Sequence, residues 1–78
     1  MDLIGITDKD LIVFLVSSGL KIIDAQKENN TNHSVVFFED NENLKKAKIE
    51  YVNRSKVINI ADYIAAEKRV RALLYSLK

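Results

Sequence analysis

The chain has 78 residues, 12 basic and 11 acidic, for a formal charge of +1. A chain of this length closes one small core, burying roughly 60–65% of its unfolded surface, so residues 1–78 read as a single domain. With no Cys and one His, disulfides, thiolate metal sites and a histidine-built zinc site are excluded, and near-neutrality excludes a surface basic all over for nucleic acid. Hydrophobic residues make up 47% of the chain, as in a folded domain rather than a disordered tail. No apolar run approaches the ~18–20 residues that span a bilayer, and Met1-Asp2-Leu3-Ile4 lacks the basic start of a signal peptide. A cytoplasmic protein with no membrane partner is expected.

Asp2 to Ile6 is a short apolar lead-in that suits an edge strand or a hydrophobic staple. Thr7 opens a Thr-x-x-Asp pattern ending at Asp10, a capping box with Asp in place of Glu. Leu11 to Val16 is apolar at every position, so periodicity alone does not separate strand from helix. The cap before it, and Ser17-Ser18-Gly19 after it, decide for a helix with Gly19 as its C′ residue. A helix apolar all round must pack on more than one side or face a partner.

Leu20 to Gln26 reads as a strand in which Ile22 and Ile23 supply both faces. Lys27 to His33 is a polar loop rich in Asn, and Ser34 to Glu39 is a second strand. There Val35 and Phe37 point one way and Val36 and Phe38 the other. The short loop implies antiparallel pairing. With both faces apolar, the second strand is central and covered twice, or half covered with an exposed patch.

Asp40 to Asn43 turns and caps the next helix, whose stripe is Leu44, Ala47 and Tyr51, edged by Lys48 and Val52. Asn53-Arg54-Ser55 breaks it, and Val57-Ile58 leaves room for a brief extended segment. Asn59 then caps the longest helical pattern, with Asp62 in its first turn. Tyr63, Ala66, Val70, Leu73, Leu74 and Leu77 share one arc at about 100° per residue, a stripe that suits a lid over a small sheet. The expected fold is α+β, two layers in the order α-β-β-α-(β)-α, with the antiparallel hairpin packed against the C-terminal helix.

No catalytic constellation emerges. His33 sits at a loop–strand junction beside Thr31, Ser34 and Glu28, and a loop does not hold the rigid geometry catalysis needs; it is read as an exposed loop His. Glu39-Asp40-Asn41-Glu42-Asn43 has the composition of a calcium loop. It lacks Gly at the sixth position, and Tyr51 stands at the twelfth from Asp40, so capping explains it better. Three Asn-x-Ser/Thr triplets, at Asn29, Asn32 and Asn53, are read as accidents of an Asn-rich chain. Gly5 and Gly19 are too far apart for a phosphate loop. Neither enzyme activity nor a cofactor is expected.

Two surface features remain. Lys68, Arg71, Tyr75 and Lys78 share a flank of the last helix, extended by Arg54 and Lys56 in the turn before it. Cations around one aromatic ring suit phosphates and a stacked base. The competing reading is solvated charge near a helix C-terminus, with Glu67 paired to Arg71. The second feature is apolar excess: Phe37 or Phe38, Tyr63 and part of Leu11–Val16 exceed what a core this small hides. The remainder marks a protein contact, most simply a homo-oligomer (dimer), unless snorkelling lysines such as Lys48 cover it.

Ser18-Gly19 followed by Leu20-Lys21-Ile22-Ile23, then Val36-Phe37-Phe38-Glu39-Asp40, Tyr51-Val52-Asn53, Lys56-Val57 and Arg71-Ala72-Leu73-Leu74-Tyr75 resembles a family of very short proteins of unknown function from Gram-positive bacteria and their phages. The resemblance covers most of the chain, consists of hydrophobic spacing and turn residues, and implies a phage or mobile-element setting without supplying an activity. The functional expectation is therefore a non-enzymatic protein that binds another protein, such as a host or defence protein, through Phe37, Phe38 and Tyr63, and self-associates. The alternative is nucleic-acid or nucleotide binding through Arg54, Lys56, Lys68, Arg71 and Tyr75.

Overall fold

Two stretches of this chain are apolar on every side, and the architecture follows from how differently they are covered. The computed structural model describes residues 2–28 and 33–77. Met1, the Asn-rich stretch 29–32 with the asparagines of two acceptor-like triplets, and Lys78 lie outside the described residues. Within them the order is β1 (Leu3–Ile6), α1 (Lys9–Ser17), β2 (Asp24–Lys27), β3 (Ser34–Glu39), α2 (Glu42–Asn53) and α3 (Ile60–Ser76). The strands form one antiparallel sheet in the order β1-β3-β2. The fold is thus mixed α+β with the expected order of helices and strands, and the C-terminal helix packs against the sheet. The lead-in at residues 3–6 is an edge strand, as β2 is on the other side of β3.

The run of apolar side chains in α1 makes it the buried helix. Ile12, Val13, Phe14, Leu15 and Val16 are all in the core, because α1 has α3 and α2 as neighbours and touches β1. A helix wrapped on several sides has no need of a polar face. The ring of Phe14 meets Tyr51 of α2 at 5.2 Å between centroids with a 59° tilt, an arrangement that favours ring edge against ring face. Burial of Tyr51, with Asp8, Asp10 and Tyr63 nearby, raises its phenol pKa above the usual value.

The ends of the helices are specified locally. The N-cap of α1 is Asp8, one residue beyond the Thr7 that the sequence pattern suggests. Its Oδ1 accepts from the N–H of Asp10 at 3.0 Å and of Leu11 at 3.4 Å. A charged acceptor at the positive end of the helix does this better than a neutral hydroxyl. At the other end, Gly19 has φ +94°. The Leu20 N–H donates to Leu15 O at 3.1 Å and the Gly19 N–H to Val16 O at 3.0 Å, the paired bonds of a Schellman close. Asn41 caps α2 by accepting from Leu44 N–H at 2.9 Å. Asn59 caps α3 by accepting from Ala61 N–H at 2.8 Å.

Leu20 to Gln26 is not one strand. Leu20 is spent on closing α1, and the ladder begins only at Asp24. Asp24 lies opposite Phe37 in register, yet the Ile23 N–H also donates to Phe37 O at 2.8 Å. Two residues facing one is the arrangement of a β-bulge. The extra residue explains why Ile22 and Ala25, three apart, both pack on the core while Ile23 and Asp24 between them are exposed. The short extended segment expected at Val57-Ile58 joins no strand: Val57 is 95% exposed, while Ile58 packs on the core.

Asp8→Ala should lower unfolding free energy by about 1 kcal/mol, whereas Thr7→Ala should stay within about 0.5 kcal/mol of the parent. Urea titrations of both variants check this, and an equal or larger loss at Thr7 would return the cap to the position the pattern suggested.

Candidate functional site

Side chains of an antiparallel sheet alternate between its faces, and directly paired residues share one. The pairs Ile4–Phe38, Ile6–Val36 and Ala25–Val36 therefore lie together. These residues belong to or pack on the same core cluster as Leu15, Leu44, Ala66 and Val70 of the three helices. All three helices thus stand on that face. The opposite face carries the pairs Leu3–Glu39, Gly5–Phe37, Asp24–Phe37 and Gln26–Val35, with no described helix over it. Leu3 is 43% exposed and Ile23, put out by the bulge, is 45% exposed; Val35 and Phe37 are half-buried.

Gly5 shapes the centre of this open face. A Cβ built on it would come within 2.7 Å of Val35 Cγ1 and 3.1 Å of Phe37 Cε1. The two β3 side chains therefore fold across the glycine, and the space a larger β1 residue would take is filled by the Phe37 ring. The result is a low apolar surface made of Leu3, Ile23, Val35 and Phe37. Its polar neighbours are acidic or neutral: Asp24 accepts from Gln26 Nε2 at 3.1 Å, and Glu39 from Asn41 Nδ2 at 3.0 Å. By register, the strand residues of this face include two carboxylates and no cation. The Glu39–Asn43 stretch thus contributes one carboxylate to the open face and the cap to α2.

The structure separates the three residues expected to form a protein contact. Phe37 is on the open face. Phe38 is 1% exposed and fills the core, so it is not a contact residue: the alternation that exposes one phenylalanine buries the next. Tyr63 is half-buried against the core on the helix side, so it cannot share a surface with Phe37. Parity along β3 distinguishes the two phenylalanines, but the sequence does not say which parity faces the helices. The bulge that adds Ile23 left no signal in composition or spacing.

The basic residues divide as well. Arg71 and Tyr75 line a cleft of about 650 Å³ together with Lys9, Lys27 and His33. The Glu67 carboxylate accepts from Arg71 Nη2, as the i,i+4 spacing implies. Arg54 and Lys56 border a different, smaller groove beside Phe14 and Tyr51, and Lys68 is an exposed residue of α3 that lines neither. Arg54 itself ends α2 with φ 53° and ψ 36°. The five residues of the expected basic flank therefore do not line one cleft. Lys9, Lys27 and His33 were missed as companions of Arg71 because only the fold brings α1 and the hairpin to that end of α3.

No helix among the described residues is long and apolar enough to cross a membrane. A model of the family described as Domain of unknown function (DUF5659) matches residues 1–76, and the chain belongs to that family. No curated protein and no solved structure matches it.

Gly5→Ala should cost about 1–2 kcal/mol, because a stiff β-branched side chain must move. In a Val35→Ala background, where Cγ1 is gone, the same change should cost measurably less. A double-mutant cycle by urea unfolding reads this directly; an unchanged cost would mean that Val35 does not lie across the glycine.

Proposed function

We propose that this protein is a non-enzymatic binding module that uses the open face of its sheet to hold another protein. One observation carries the reading: the apolar residues Leu3, Ile23, Val35 and Phe37, exposed or half-buried, are grouped on the side of the sheet that no described helix covers. Exposed apolar surface that is grouped rather than scattered is the mark of an interaction site. A half-buried ring at its centre is the kind of anchor that dominates contact energies.

The chemistry around the patch selects the partner. Asp24 and Glu39 flank Phe37, so the fitting surface is apolar and ringed by Lys or Arg. Two copies placed face to face would set these carboxylates near their own equivalents, which opposes rather than guides docking. A different protein therefore fits this face better than a second copy. The resemblance to short phage and Gram-positive proteins suits such a role, since a mobile element gains from a small protein that occupies a host or defence protein.

The test uses a defined probe, a synthetic amphipathic helix of leucine and lysine, titrated into isotopically labelled protein and followed by NMR. Shifts should concentrate at Leu3–Ile6, Ile23, Asp24 and Ser34–Glu39. Phe37→Thr should weaken binding by about tenfold, the equivalent of ~1.4 kcal/mol. Shifts elsewhere, or an affinity that Phe37→Thr leaves intact, would contradict the assignment.

A further inference from the structure

On the helix side, at the end of the molecule where the β2–β3 hairpin approaches the last turns of α3, lies the cleft of about 650 Å³. That volume is in the range of small-molecule sites, roughly 300–1,000 Å³. Its cations come from three separate elements: Lys9 from the first turn of α1, Lys27 from the end of β2, and Arg71 from α3. No carboxylate is among the described residues that line it. Thr7 and Ser34 add hydroxyls, and His33 adds an imidazole from the start of the hairpin's second arm.

The rest of the lining is apolar and aromatic. Ile12 and Leu74, both part of or packed on the core, form one wall. Tyr75 stands beside it with 71% of its surface exposed. Glu67 engages one end of the Arg71 guanidinium. The group has five N–H donors in a planar fork, so this one bond leaves others for a ligand and fixes the side chain's direction. Glu67 offsets one of the three positive charges and the C-terminal end of α3 about half of another, so the cations still outweigh the negative charge.

We propose that this cleft binds a nucleoside polyphosphate. Lys9, Lys27 and Arg71 hold the phosphates, for which separated cations and a guanidinium fork are suited. Tyr75 stacks on the base, a contact every base offers through its π face, while Leu74 and Ile12 keep water from the sugar side. Three cations drawn from three elements match a chain of phosphates better than a single one. The site is independent of the open sheet face, being built from other residues on the other side of the sheet.

Calorimetric titration at low salt with ADP, pyrophosphate and adenosine, and with a short oligothymidylate, tests it. ADP should bind, and Lys9→Ala and Lys27→Ala, both changes at exposed positions, should each weaken it by about tenfold. Tyr75→Ala should weaken ADP while leaving pyrophosphate unchanged, and Glu67→Gln should keep or tighten ADP binding by releasing the guanidinium. Absence of ADP binding at millimolar concentration would overturn the proposal, as would an affinity indifferent to both lysine variants. Oligothymidylate that binds and is not displaced by ADP would assign the cleft to a nucleic-acid strand instead.

Discussion

The structure depends on one shortage: two elements are apolar on all sides, and there are helices enough to enclose only one. Helix α1 is that one. With five consecutive core residues, Ile12 to Val16, it must be wrapped, and α2, α3 and the sheet wrap it. Placing all three helices on one face leaves β3, whose Val35-Val36-Phe37-Phe38 run alternates between two apolar faces, covered on one side. In a chain this short no further element exists among the described residues to cover the other. The open face is therefore a consequence of how the core is closed, and its apolar side chains persist where a purely structural sheet would carry polar ones.

Much of this was legible in the sequence. The central strand, the all-apolar helix and the capped C-terminal helix with its Ala66–Val70 stripe are each declared by local pattern and end signals. Those are short-range properties, decided within a few residues of chain. The places where the reading slipped are decided by neighbours far along the sequence. The bulge at Ile23 exists because β2 must meet β3 while still delivering Ile22 and Ala25 to the same core. Leu20 looks like a strand residue by composition, yet its N–H is taken by Leu15 O to finish α1. The cap moved from Thr7 to Asp8 because two acceptors one residue apart compete and the pattern does not rank them.

Site residues were legible to a lesser degree, for the same reason. Phe37 lies on the open face, but Phe38 beside it is enclosed and Tyr63 belongs to another surface. Helix spacing puts Arg71 and Tyr75 together, whereas Lys9, Lys27 and His33, which line the same cleft, come from segments roughly 40–65 positions away in the chain, a separation periodicity cannot bridge. The two sides of the sheet thus differ in chemistry as well as cover. One is apolar with flanking carboxylates. The other carries the cationic cleft between α1, α3 and the hairpin, and its helices expose Ile49, Val52, Ile60 and Ile64.

The central claim is that one face of β3 is enclosed and the other is open. Because the chain contains no cysteine, single thiols at adjacent positions of that strand report on it without background. Native-state labelling of Val35→Cys and Val36→Cys, in parallel with their unfolding free energies, gives the most direct comparison. The thiol at position 35 should react directly in the folded protein, while the thiol at position 36 should react only as fast as unfolding exposes it. Equal protection at both positions, or ready reaction at position 36, would contradict the claim.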